Sequence, residues 1–139
     1  MTLAPTTSRS TTVAFSGVRC LLGTTILNSA DYITWSSVAY DTDDYENGDA
    51  TPTDLVIPET AKYDIEFWIY DFAADIIGVN CVRNRAGAAS NVIIASVPGA
   101  NAFGATTLEL VAGDTISLRY FGTSPSTLDA GAISVTRVS

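Results

Sequence analysis

The stretch KYDIEFWIYDF, residues 62–72, constrains the fold more than any other part of the chain. Side chains of a β-strand point alternately to its two faces, so a period of two in hydropathy indicates a strand. The stretch has this period, because every second residue over its first eight positions is apolar. These positions are Tyr63, Ile65, Phe67 and Ile69, and we predict that they form a core face.

The opposite face of the same strand changes character halfway along. It begins with Asp64 and Glu66 and continues with Trp68, Tyr70 and Phe72. A half-buried strand normally keeps a polar outer face. Three large aromatic side chains on that face therefore need a second cover, which either another part of this chain or another subunit provides.

Other stretches of strand character are separated by turn signals, and helical periodicity is nearly absent. A hairpin is predicted from residues 106–110 and 115–121, with the turn signal AGD between them. The remaining predicted strands cover 17–22, 34–40, 54–57, 76–83, 91–97 and 131–138. In a chain of 139 residues, eight or more strands predict one all-β domain, either a sandwich or a jelly roll.

The start of the chain differs in composition from the rest. Seven of residues 2–12 are Ser or Thr, and they show no apolar period. We predict a flexible arm over residues 1–14, which becomes ordered only by docking on a partner. The folded domain is predicted to cover residues 15–139. The arm has no basic stretch followed by an apolar one, which favours synthesis and folding in a cytoplasm.

The charge balance excludes several classes of function. The formal net charge is −8, and the chain has six arginines, one lysine and no histidine. Because no basic cluster is available to neutralise phosphates, we expect neither nucleic acid nor a membrane as a partner. The missing histidine removes the commonest general base and the commonest transition-metal ligand. We therefore expect no enzymatic activity and no cofactor.

The stretch AYDTDDYENGD, residues 39–49, is rich in carboxylates, and three interpretations compete. It does not have the spacing of a hand-type calcium loop, because no Gly stands at the sixth position. An irregular calcium site formed by Asp41, Asp43 and Asp44 remains an alternative. A catalytic carboxylate pair would need burial to raise one pKa, which an exposed loop does not supply. We predict a water-facing connection, since the stretch contains an Asn-Gly turn signal.

The chain contains two cysteines, Cys20 and Cys81, which follow no zinc-ligand spacing. We predict two buried thiols inside strands. A disulfide between them is the alternative if the mature protein meets an oxidising medium.

Four segments resemble the globular head of complement subcomponent q, a jelly-roll family related to tumour necrosis factor. LVIPETAKYDIEF, with Pro58 and Tyr63, is similar to that family's apolar strand, proline, turn and alternating strand. LELVAGDTISL (108–118) resembles its L-x-A-G-D-x-I-x-L hairpin. TWSSVAYDTDDYE is similar to the bacteriophage branch of the fold, and GAISVTRV fits the last strand. The resemblance covers residues 17–139.

This resemblance implies an all-β fold, an antiparallel two-sheet jelly-roll sandwich of about 8–10 strands. It also implies three copies around an axis. A homotrimer would cover the aromatic outer face of residues 62–72. The candidate trimer-interface residues are Trp68, Tyr70, Phe72 and Phe121.

The resemblance further implies a binding or structural module. In viruses of bacteria such domains serve as capsid decorations, head fibres or tail-tip parts. The leading hypothesis is a trimeric decoration protein that is made in the host cytoplasm and stabilises the outside of the capsid of a virion. Its partner would be the major capsid protein, with Thr6, Thr7 and Arg9 as candidate contacts.

The alternative is a receptor-binding or carbohydrate-binding module of a tail tip or fibre. In that case exposed aromatic side chains would stack on sugars, and the candidates are Tyr32, Trp35 and Tyr45.

Overall fold

A computed structural model describes residues 15–95 and 99–139, which form eleven β-strands. Within these ranges no residue lies in a helix, and thus none forms a helix able to cross a membrane. The strands are β1 (Gly17–Leu22), β2 (Thr25–Leu27), β3 (Ser37–Asp41), β4 (Leu55–Val56), β5 (Ala61–Tyr70), β6 (Ile76–Arg85), β7 (Ala88–Ala95), β8 (Asn101–Leu110), β9 (Thr115–Gly122), β10 (Ser126–Leu128) and β11 (Ala130–Arg137).

All strand pairs are antiparallel, and two main sheets form the sandwich. One sheet has five strands in the order β3-β1-β11-β5-β8, and the other has four in the order β4-β9-β6-β7. A short ribbon of β10 and β2 completes the fold. The predicted all-β, antiparallel double-sheet architecture is confirmed. The two strands of the ribbon were missed, because a strand of three residues is too short to show a period of two.

The core lies between the two main sheets. The predicted core face of β5 is confirmed, since Tyr63, Ile65 and Ile69 are fully buried and Phe67 is nearly so. Strand β9 faces it from the other sheet, and its buried apolar side chains are Ile116, Leu118 and Tyr120.

Both cysteines point into this core from different sheets, Cys20 from β1 and Cys81 from β6. The two thiols are free and buried, as the leading interpretation predicted, and no disulfide joins them. Burial raises the pKa of each thiol to about 12, so both stay protonated at neutral pH.

The predicted hairpin of residues 106–110 and 115–121 is wrong, because β8 pairs with β5 in one main sheet and β9 pairs with β4 and β6 in the other. The turn between them crosses from one sheet to the other, and one buried carboxylate, that of Asp114, organises it. The Val111 N–H donates to Asp114 Oδ2 at 2.8 Å. Arg85, at the end of β6, donates from Nε to Oδ1 at 2.9 Å and from Nη2 to Oδ2 at 2.7 Å. The tight turn also needs Gly113, whose φ is +90°. Asp114 therefore ties the β8–β9 turn to the end of a third strand.

Candidate functional site on the outer face of the five-stranded sheet

The outer face of the five-stranded sheet carries an apolar row that crosses four strands. Leu21, Ala132, Trp68 and Phe103 are successive cross-strand partners on β1, β11, β5 and β8. Trp68 keeps 43% of its surface exposed and Phe103 keeps 71%. We call these four residues the apolar row. In the single chain, the two large aromatic side chains of this row are exposed to solvent.

A polar row runs parallel to the apolar row, two residues away from it along each strand. Arg19, Ser134, Glu66 and Ala105 are successive partners on the same four strands. Arg19 Nη1 donates to Ser134 Oγ at 2.8 Å. Ser134 lies between Arg19 and Glu66, which puts their backbones about 10 Å apart. Among the described residues, neither Arg19 nor Glu66 takes part in an ion pair.

The two rows line a groove of about 330 Å³ on the sheet surface. Its walls combine aromatic rings with one cationic and one anionic side chain. Such a groove can accept an apolar side chain between groups of opposite charge, which is the chemistry of a protein–protein contact.

The predicted interface residues are not all brought together. Tyr70 lies at the end of β5 on the face that carries Trp68, paired with Asn101. Phe72 is 81% exposed but lies in the turn after β5, where its N–H donates to Asp129 Oδ2 at 2.7 Å. The strand prediction ran two residues too far, to residue 72. The reason is the buried Asp71 carboxylate, which accepts the Ala73 N–H and forms a turn there.

Phe121 lies on β9, in the four-stranded sheet, on the other side of the sandwich from Trp68. The Arg119 guanidinium covers its ring, 5.5 Å from the centroid. The prediction that Phe121 shares one surface with Trp68 is therefore not met by the geometry. We leave Phe121 out of the interface proposed below and add Phe103, which the sequence did not single out.

The candidate capsid contacts Thr6, Thr7 and Arg9 lie outside the described residues, as does the whole predicted arm. Of the three aromatic residues suggested for sugar stacking, Trp35 and Tyr45 are fully buried and Tyr32 is 39% exposed. The suggestion is therefore wrong for Trp35 and Tyr45, and only Tyr32 can offer a ring to a ligand.

The acidic stretch is a loop whose carboxylates mostly bind the loop's own backbone. Asp41 Oδ1 accepts the N–H of Tyr45 at 2.9 Å, and Asp41 Oδ2 accepts the N–H of Glu46 at 2.8 Å. Asp43 instead accepts hydrogen bonds from the hydroxyls of Ser16 and Thr42, which hold the pKa of its carboxyl below the usual range.

The suggested calcium set of Asp41, Asp43 and Asp44 does not form as predicted. The carboxylate oxygens that approach within 4.8 Å of one another belong to Asp41, Asp44 and Glu46. Desolvation raises the pKa of the Glu46 carboxyl, and repulsion by the Asp41 and Asp44 carboxylates raises it further. Because backbone N–H groups already solvate the Asp41 carboxylate, we interpret the group as a turn and not as a metal site.

Removing calcium is expected to leave the protein's stability unchanged. Calcium at a free concentration 100 times its dissociation constant would raise the free energy of unfolding by about 2.7 kcal/mol. Its removal would lower the melting temperature by roughly 10 °C in a chain of this length. We expect a shift below about 1 °C when a chelator is added during thermal unfolding. A larger fall that added calcium reverses would establish the alternative site.

The sandwich is similar to solved structures of proteins with very different sequences. Murine APRIL at pH 8.5 matches with a TM-score of 0.70 and 12% identity, covering 89% of this chain and 99% of that chain. The globular domain of zebrafish complement 1qA protein matches with a TM-score of 0.70 and 12% identity, covering 88% and 96%. The vertex protein P5 of phage PRD1 matches with a TM-score of 0.60 and 7% identity, covering 89% and 97%.

No protein-family model and no curated protein sequence matches the chain. At these low identities, the structural likeness shows the fold alone. That fold is the jelly roll of the tumour necrosis factor and complement q proteins, as the sequence resemblance implied. One of these three neighbours is named as a vertex protein.

Proposed function

We propose that this protein is a non-enzymatic structural component of a virion and assembles as a homotrimer through the outer face of its five-stranded sheet. The observation that carries the proposal is the exposed apolar row beside Arg19 and Glu66. Large aromatic side chains grouped on one face of a sheet are typical of interaction surfaces. The jelly-roll resemblance implies the threefold arrangement.

A second copy of the same chain fits this face by charge. The polar row carries one cation and one anion, each without an ion-pair partner within its own described chain. In a rotationally symmetric assembly, Arg19 of each copy can approach Glu66 of the next, and every copy makes the same contact. A face with both signs of charge can therefore meet the same face of the next copy in a heterologous contact, as a threefold ring requires.

The apolar row supplies the driving force for this association. Association covers the exposed parts of Trp68, Phe103 and Leu21, and burial of apolar surface contributes about 25 cal/mol per Å². The sum is several kcal/mol per copy, before the entropic costs of association. The polar row then fixes the orientation of the copies, since electrostatic complementarity contributes more to specificity than to affinity.

We propose the outside of the capsid as the site of assembly, with the major capsid protein as the partner. Two observations support this location, namely the fold shared with a PRD1 vertex protein and the Ser/Thr-rich composition of residues 2–12. The sequence resemblance of TWSSVAYDTDDYE to the bacteriophage branch points the same way. The net charge of −8 disfavours contact with packaged nucleic acid. Thr6, Thr7 and Arg9 are the proposed capsid contacts, and synthesis takes place in the host cytoplasm.

Co-sedimentation with undecorated capsids tests the proposal. We expect the wild-type trimer to pellet with capsids, and the triple variant Thr6→Ala, Thr7→Ala, Arg9→Ala to remain in the supernatant as a trimer. The matched control is Ser8→Ala with Ser10→Ala, which changes the same arm and should still pellet. If the wild-type protein does not pellet with capsids, the capsid location is wrong.

The alternative location is a tail tip or fibre, with a receptor-binding role. The exposed ring of Tyr32 beside a polar groove favours a ligand-binding role of this kind. Antibody labelling of intact particles separates the two locations, because a decoration protein labels the head and a tip module labels the end of the tail.

A further inference from the structure

A second groove lies on the outer face of the four-stranded sheet, away from the proposed trimer face. It has a volume of about 300 Å³, in the range of small-ligand sites. The segment before β3 forms one wall by pairing with β9, where the Ile33 N–H donates to Leu118 O and the Tyr120 N–H donates to Asp31 O, both at 2.9 Å. The lining residues are Tyr32, Thr53, Asp54, Val82, Asn84, Thr115 and Ser117.

The aromatic ring in this groove, that of Tyr32, is held in place before any ligand binds. The Arg119 guanidinium lies 5.2 Å from its centroid, and Arg119 Nε donates to Ala30 O at 2.8 Å. The ring still keeps 39% of its surface exposed. A fixed and exposed ring is a stacking platform, because its negative face attracts polarised C–H groups.

Polar groups without protein partners surround this ring. Within the described ranges, the Ser117 and Thr115 hydroxyls and the Asp54 carboxylate form no side-chain hydrogen bond, and all three side chains line the groove. Asn84 accepts the Gly87 N–H through Oδ1 at 3.1 Å, which leaves its amide –NH₂ to donate. The groove therefore offers both hydrogen-bond donors and hydrogen-bond acceptors to a ligand.

The groove continues toward the acidic loop. A neighbouring cavity of about 430 Å³ shares Thr53, Asp54 and Thr115 with it and adds Glu46 and Asp49 as acidic walls. Together the two cavities give room for more than one ring-sized unit. Their carboxylates repel an anionic ligand, so uronic-acid and sialic-acid chains are disfavoured.

We propose that this groove binds a neutral oligosaccharide, with Tyr32 stacked on the apolar face of one sugar ring and Asp54, Asn84 and Ser117 bound to its hydroxyls. A sugar offers one C–H face and many hydroxyls, which matches a single ring surrounded by uncommitted donors and acceptors. The site lies on the sheet opposite the apolar row, so it does not depend on the proposed trimer or on its capsid partner.

A glycan array followed by calorimetric titration tests this site on the full-length wild-type protein. The probes are neutral oligosaccharides of glucose, mannose, galactose and N-acetylglucosamine, together with oligogalacturonate, polysialic acid and a basic peptide. We expect at least one neutral probe to bind with a dissociation constant between about 10 µM and 1 mM. Tyr32→Ala should weaken that binding at least about tenfold, and Asn84→Ala about threefold.

Tyr40→Ala is the matched control, because Tyr40 is exposed to 38% but lies on the five-stranded sheet. It should bind the neutral probe as the wild type does. Three results would overturn the proposal: no neutral probe binds, only anionic probes or the basic peptide bind, or a folded Tyr32→Ala variant binds unchanged. Sedimentation of the same samples reports trimer formation separately, so failure of the glycan site and failure of the trimer are distinguishable.

Discussion

Trp68→Asp is expected to convert the trimer into a folded monomer. The Trp68 side chain is 43% exposed in the single chain and lies at the centre of the apolar row, so its replacement leaves the core intact. In the assembled protein, the new carboxylate would be buried beside Phe103 and add a second negative charge near Glu66. A change at the centre of an interface costs about 3 kcal/mol or more, which weakens association over about 100-fold.

Size-exclusion chromatography with light scattering measures this change, and circular dichroism reports whether the variant is folded. The matched control is Ile77→Asp, because Ile77 is 60% exposed on β6, in the other main sheet. We expect that control to remain trimeric. Intact trimers of Trp68→Asp, or monomers from both variants, would contradict the proposed interface.

Asp114→Ala is expected to lower the free energy of unfolding by about 2–4 kcal/mol, since hydrogen bonds to a buried charged group are lost together. The carboxylate is almost fully buried and accepts hydrogen bonds from Arg85 and from the Val111 N–H. The Arg85 side chain is partly exposed and can be solvated when its partner is removed, which limits the loss. Urea unfolding at one fixed protein concentration measures the change. Glu109→Ala, at an exposed position of β8, is the control and should change the stability by less than about 0.5 kcal/mol.

The same carboxylate makes the stability depend on pH on the acid side. The hydrogen bonds from Arg85 hold the pKa of Asp114 below its usual range. A carboxyl whose pKa is lower in the folded state stabilises the fold above its unfolded pKa of about 3.9. That stability is lost as the pH falls through the folded pKa. The wild type should therefore lose stability below about pH 4 more steeply than Asp114→Ala; equal slopes would remove Asp114 from the explanation.

The residues of β5 show how far the sequence predicts this fold. Tyr63, Ile65, Phe67 and Ile69 are buried as their spacing requires, and Trp68 is exposed on the opposite face. The period of two is a property of the extended backbone, so it holds along a strand such as β5 that pairs without a bulge. The residue at which the strand ends cannot be predicted from this period, because it depends on the turn that Asp71 forms.

Strand β8 shows why Phe103, one of the two aromatic residues of the apolar row, was missed. Its inward positions near Phe103 carry small residues, Ala102 and Gly104, while the large aromatic residue points outward. Gly104 is small because Phe67 occupies the space below it, and a Cβ at Gly104 would lie 2.9 Å from that ring. The hydropathy pattern of the first half of β8 therefore indicates no core face, whereas Leu108 and Leu110 mark one in the second half.

The interpretation of the acidic stretch as a connection agrees with the structure, but it did not include the buried residue in the middle of the stretch. Tyr45 in its middle is fully buried, and its hydroxyl lies 2.6 Å from Ser16 Oγ. The two residues are 29 positions apart, and only the pairing of β1 with β3 brings them together. No local pattern in a sequence contains that information. The buried role of Asp114 depends in the same way on Arg85, which lies on a different strand.

Sedimentation equilibrium of the wild-type protein tests most directly whether it acts by assembling through its exposed aromatic face. We expect a single species of about 44 kDa, three times the 14.6 kDa of one chain, at micromolar concentration. A single species of 14.6 kDa under the same conditions would show that the apolar row stays in contact with water, and the central proposal would be wrong.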